Sequence, residues 1–165
     1  MKVFIDYISG DELVSDSYPN QLLFDDACLE VRARYVTKGS DQIAIASDDV
    51  LDDDEGGETV VDVVDAFRLN EINLSKKDFM GWVKAYLKKV EAKLIEKGKE
   101  DRVPAFKAGA TQLVKLIVGR FAEFQIFTGP SYDMDGALAL AYQKEQEDDG
   151  PTFLFFVDGL EQRKF

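Results

Sequence analysis

The chain has 165 residues, 45% of them apolar and 12% aromatic, and its 32 acids against 20 bases leave a net charge of -12. One cysteine (Cys28) and no histidine exclude an intrachain disulfide, a zinc site built from Cys and His, and Ser-His-Asp or Cys-His catalysis. The acidic balance argues against general nucleic-acid binding. No apolar run approaches the roughly 20 residues that span a bilayer, so no membrane insertion is expected.

In chain order, residues 1–8 alternate as a strand, with Val3, Ile5 and Tyr7 on one face. Ser9-Gly10-Asp11-Glu12 and the segment Asp16 to Asn20, with Pro19, are turn chemistry. Residues 28–36 alternate again, placing Leu29, Val31, Ala33 and Tyr35 on an apolar face and Glu30, Arg32 and Arg34 on the opposite one. A short strand is expected at 42–46. The segment Ser47 to Glu58 holds seven acids in twelve residues, with two glycines, and lacks the apolar groups that offset ordering entropy; residues 39–58 are expected to form a flexible acidic loop. Strand texture resumes from Val60 to Phe67.

Ser75 to about Lys97 reads as a helix. Ser75 and Asp78 form a capping box, and Phe79, Trp82, Val83, Tyr86, Leu87, Val90 and Leu94 recur at helical spacing. Gly98 ends it. A second helix starts near Asp101 with Pro104 in its first turn, and its stripe runs Val103, Phe106, Ala110, Leu113, Val114, Ile117, Val118 and Phe121. The four-residue connection makes residues 75–122 an antiparallel helical hairpin. Strands return at Phe124 to Thr128, Ala137 to Tyr142 and Thr152 to Asp158. The order predicts one α+β domain over 1–165, a mainly antiparallel sheet with the hairpin inserted into it.

Charge is segregated along this order. Lys76 to Arg120 holds twelve bases and five acids, and the remainder holds eight bases and twenty-seven acids. Lys77, Lys84 and Lys88 share one face of the first helix and form a candidate docking face for acidic protein surfaces, within a field that reaches about 8 Å at physiological salt. The acidic loop suggests calcium. With Gly57 at position 6 of an EF-hand frame, Asp52 and Asp54 fall on ligand positions, but Gly56 and Val63 occupy the fifth and twelfth. It is not an EF-hand; Asp52, Asp53, Asp54 and Glu55 remain candidates for weak Ca²⁺ binding, with a Kd on the order of 10⁻⁴–10⁻³ M. No phosphate-binding glycine loop or zinc-protease motif is present, no cofactor is required, and no enzymatic activity is expected. Asp133-Met134-Asp135-Gly136 reads as a hairpin turn, and Trp82 as core.

Several ordered segments resemble the translationally controlled tumour protein (TCTP) family: Met1-Lys2-Val3-Phe4-Ile5-Asp6-Tyr7-Ile8-Ser9-Gly10-Asp11-Glu12, Ser15-Asp16, Cys28-Leu29-Glu30-Val31, Phe124-Gln125-Ile126-Phe127-Thr128-Gly129, Asp135-Gly136 and Phe155-Phe156-Val157-Asp158-Gly159-Leu160-Glu161. The resemblance spans the chain. It implies a β-tent core similar to that of a small zinc-carrying Rab-binding exchange factor, without the zinc. It also implies a cytosolic protein, with secretion that needs no signal peptide, and growth, survival and anti-apoptotic roles. The partners it implies are tubulin, calcium, apoptosis regulators, elongation factors and the Ras-family GTPase Rheb. The glutamate implicated in GTPase regulation falls on Glu12. Physically, a presented carboxylate competes with nucleotide phosphate or magnesium for a GTPase loop lysine.

Overall fold

The computed structural model describes residues 1–38, 58–146 and 148–164. The expected strand at 42–46, the acidic loop through residue 57 and the quartet Asp52, Asp53, Asp54 and Glu55 lie outside them.

Among the described residues the strands form three antiparallel sheets. β1 (Lys2–Asp6) lies between β2 (Glu12–Ser15) and β11 (Leu160–Lys164). A six-stranded sheet has the order β3-β4-β10-β9-β8-β7, built from Asn20–Leu23, Cys28–Arg32, Thr152–Phe156, Ala139–Tyr142, Gln125–Thr128 and Asn70–Ile72. β5 (Tyr35–Lys38) pairs with β6 (Glu58–Val61). The helices are α1 (Asp62–Phe67), α2 (Lys76–Glu96) and α3 (Val103–Gly119). The α2–α3 hairpin enters between β7 and β8, which pair with each other as Asn70 with Thr128 and Ile72 with Ile126. The α+β architecture with helices inserted into an antiparallel sheet is therefore the one observed.

The ends of α2 follow from its sequence. Ser75 Oγ accepts the Asp78 N–H at 3.0 Å. At the other end Gly98, at φ 76°, donates to Ile95 while Lys99 donates to Leu94 at 2.8 Å, the two bonds of a Schellman cap. Phe79, Val83, Tyr86, Val90 and Leu94 of α2 and Val103, Phe106, Leu113 and Ile117 of α3 are buried in one cluster with β4, β9 and β10. Each such side chain stabilises the fold by about 1.5–3 kcal/mol.

Three expectations are corrected. Residues 60–67 are not a strand throughout: β6 stops at Val61 and α1 follows. Val63 is buried, Val64 and Phe67 are half-buried on the same side, and Asp62 Oδ1 accepts the N–H groups of Val63 (2.8 Å) and Arg34 (2.9 Å). The β-branched pair had mimicked strand texture. Residues 28–36 are two strands, because the chain changes sheets at Ala33–Arg34. There the Ala33 N–H donates to Pro151 and Tyr35 to Asp149, and Gly150 presses on the backbone where a Cβ would stand 2.6 Å from Ala33 O. Tyr35 consequently faces outward, 54% exposed. Glu30, expected outward with Arg32, is 3% exposed beneath Lys144 Nζ (2.8 Å) and Gln21 Nε2 (2.7 Å).

Cys28 is fully buried, and desolvation pushes its thiol up to about 12, which leaves it inert at neutral pH. Tyr86 is the buried residue whose side-chain oxygen has no hydrogen-bond partner among the described residues. Its hydroxyl abuts Gly159, where any Cβ would overlap it. Tyr86→Phe removes an unsatisfied group, so it is expected to be neutral or stabilising by up to about 1 kcal/mol at neutral pH. Desolvation, then Asp6, Tyr7 and Asp158, hold this phenol protonated well above its ordinary range near 10. The unfolded chain ionises first, so stability present below pH ~10 is lost as pH rises. In alkaline denaturant titrations Tyr86→Phe should lose stability less steeply, by about 1.4 kcal/mol per pH unit above that point.

Candidate functional site

α2 divides its surface by charge and burial. The apolar stripe faces the core, while Lys77, Lys84 and Lys88 are exposed on the opposite side. The remaining hairpin bases are partly spent internally. Lys93 pairs with Glu96, Lys97 with Glu161, Lys107 with Glu91 and Arg120 with Glu123, at 2.7–3.6 Å. Lys93 also lies 5.1 Å from the ring of Tyr7. Arg102 binds both oxygens of Asp158, at 2.8 and 2.9 Å. Lys77, Lys84 and Lys88 have no carboxylate partner among the described residues. Three cations on one helix face, with no ion pair among the described residues, form a surface complementary to acidic groups. Ile95, 46% exposed, follows Lys84 and Lys88 at helical spacing and adds an apolar contact.

Glu12 stands apart from that face, at the start of edge strand β2. Its exposure has a local cause. Val3 pairs with Ser15 and Phe4 with Val14, but Ile5 pairs with Glu12. The bulge at Leu13 lets Leu13 and Val14 both bury, at 1% and 0% exposure, and leaves Glu12 in solvent. The residue before it is fastened. Asp11 Oδ2 accepts the Ser131 N–H (3.1 Å) and hydroxyl (2.7 Å), and Asp11 O accepts the Asp6 N–H (2.8 Å). Asp6, 1% exposed, takes the Ile8 N–H, the Ser9 hydroxyl and the Ala137 N–H, at 2.7–3.0 Å. The two aspartates thus clamp the loop from Gly129 to Gly136 against the first hairpin.

Trp82 sits beside this loop. It is half-buried rather than core: it stacks on Tyr86 (centroids 4.7 Å, 15°) and its indole N–H donates to Gly136 O at 3.0 Å. Asp133 to Gly136 is the turn expected, with Asp135 N donating to Asp133 Oδ1. No cluster of three or more Cys, Asp or Glu able to hold a metal occurs among the described residues. The fastening of Asp11 by Ser131 and of Gly136 by Trp82 links positions 120 and 54 residues apart and left no local mark in the sequence.

The family model for "Translationally controlled tumour protein" matches residues 1–161. The chain belongs to the TCTP family. It is 42% identical to the Translationally-controlled tumor protein homolog 1 of Dictyostelium discoideum, with both chains covered in full, and 40% identical to the Drosophila melanogaster homolog over 99% of each. Among solved structures it superposes on the Translationally Controlled Tumor-associated Protein p23fyp from Schizosaccharomyces pombe with a TM-score of 0.81, at 34% identity and full coverage of both. The TCTP solution structure from Caenorhabditis elegans matches with a TM-score of 0.71 at 24% identity, a likeness of fold. In this TCTP-family chain Lys77, Lys84 and Lys88 of the hairpin and Glu12 of β2 are all exposed. No helix among the described residues is long and apolar enough to cross a membrane.

Proposed function

We propose that this protein is a non-enzymatic, multi-partner binding protein of the cytosol, whose α2 face carrying Lys77, Lys84 and Lys88 docks acidic protein surfaces such as tubulin tails. The observation that supports this reading is the exposure of those three lysines without carboxylate partners among the described residues, while Lys93, Lys97 and Lys107 of the same hairpin are paired with Glu96, Glu161 and Glu91. Screening shortens their field to about 8 Å at physiological salt, so binding is short-range and salt-sensitive. Roles in growth and survival belong to this reading as consequences of partner binding. The test is a pull-down from lysate with the full chain and with Lys84→Glu/Lys88→Glu, at low and high salt. Retention of acidic partners should fall with both changes.

A second reading uses Glu12 as a contact for a Ras-family GTPase such as Rheb. It draws support from the bulge and the Asp11–Ser131 clamp, which present the carboxylate on a fixed backbone. Glu12→Ala should abolish nucleotide exchange while leaving the lysine-dependent pull-down intact. Weak calcium binding by Asp52, Asp53, Asp54 and Glu55 rests on sequence alone; absence of calorimetric heat at millimolar Ca²⁺ would end it.

A further inference from the structure

A pocket of about 310 Å³ lies between α2 and the clamped loop from Gly129 to Gly136. Its walls are Leu74, Trp82 and Met134, the last 43% exposed, and its floor is Gly81 and Ala85. Asp78 and Asp135 stand on its rim, and neither carboxylate has an ion-pair or hydrogen-bond partner among the described residues. We infer that this pocket accepts a single arginine side chain from a partner polypeptide, the guanidinium between Asp78 and Asp135 and the aliphatic stem against Trp82 and Met134.

Three features select that occupant. Two unpaired carboxylates over an apolar wall complement a planar, weakly hydrated cation on a hydrocarbon stem, which is arginine rather than a compact ammonium. Lys89 also lines the pocket, without a carboxylate partner among the described residues; against Asp78 and Asp135 it leaves a net charge of -1, which one arginine neutralises and a polybasic run would exceed. Gly81 sits inside α2, where glycine is a poor helix former. A Cβ there would meet nothing within 4 Å, so no contact among the described residues accounts for it. Its role is to keep the pocket floor at backbone level. The inference is independent of the lysine face, which attracts the opposite charge.

Trp82 is the single tryptophan and reports occupancy directly. The peptide acetyl-Gly-Ala-Arg-Ala-Gly-amide is titrated into the full chain, followed by Trp82 fluorescence and by amide shifts at Gly81 and Ala85. Citrulline replaces arginine in the control peptide, preserving shape without charge. A saturable response is expected from the arginine peptide, at least about tenfold weaker with citrulline. Asp78→Asn/Asp135→Asn should weaken binding by a similar factor, and Gly81→Leu should abolish it while melting no lower than wild type. No saturable response, an equal response to citrulline, or unchanged binding by Gly81→Leu overturns the proposal.

Discussion

Gly109→Ala should destabilise the protein by on the order of 2–3 kcal/mol, even though alanine is the better helix former by about 1 kcal/mol. Gly109 lies inside α3, buried against the β3–β4 turn. A Cβ there would overlap the carbonyl oxygen of Phe24 and come within 2.6 Å of Ala27 Cβ. Neither neighbour can yield easily. The Phe24 carbonyl accepts the Ala27 N–H at 3.0 Å, and Phe24, Asp25 and Asp26 are all held at φ 56–61°, a left-handed run costly for residues other than glycine. Gly109→Val, larger and β-branched, should cost more. Gly81→Ala provides the opposite sign: in open space on α2, it should stabilise by about 0.5–1 kcal/mol. At about 2–4 °C per kcal/mol for a chain of this size, thermal melts resolve both. Equal shifts for the two substitutions would show that helix propensity, not packing on the turn, sets their effect.

Arg102→Met is expected to cost about 2–4 kcal/mol. The guanidinium joins three parts of the chain at the tip of the helical hairpin. Two of its nitrogens bind the Asp158 carboxylate and a third donates to Asp25 O at 2.8 Å. Asp158 is 9% exposed at the side chain and Arg102 26%, so solvent screens the pair only in part. The cost lies less in the lost attraction than in a nearly buried carboxylate left without a counter-charge. Asp158→Asn introduced into Arg102→Met should therefore recover a large share, and the double-mutant cycle in urea measures it. If the double variant is as unstable as the sum of the singles, the two residues act independently and this explanation fails.

These two positions also mark where sequence reading stops. The α2 boundaries were legible because their signals are local: Ser75 caps Asp78, Gly98 closes the last turn, and buried residues recur at 79, 83, 86, 90 and 94. Strands β8, β9 and β10 were legible for the same reason. Edge strands β2 and β3 are four residues long and β11 five, too short for an alternating pattern to stand out from the turns beside them. Glu30 broke alternation because Lys144, 114 residues away, neutralises it in the sheet. Val63 and Val64 hid a helix inside strand-like residues. The lysine face was legible from helical spacing alone, since Lys77, Lys84 and Lys88 need only α2 to align. The pocket over Gly81 was not, because Met134 and Asp135 reach it through clamps made by Asp6, Asp11 and Trp82.

The lysine face is tested most directly by calorimetric titration of an acidic, glutamate-rich tail peptide into the full chain and into Lys77→Glu/Lys84→Glu/Lys88→Glu, at low and high salt. The wild type should bind at low salt and weaken steeply as salt rises, and the variant should bind at least about tenfold more weakly, about 1.4 kcal/mol, with unchanged thermal stability. Equal affinity for the two proteins, or a wild-type affinity indifferent to salt, would contradict the docking role assigned to this face.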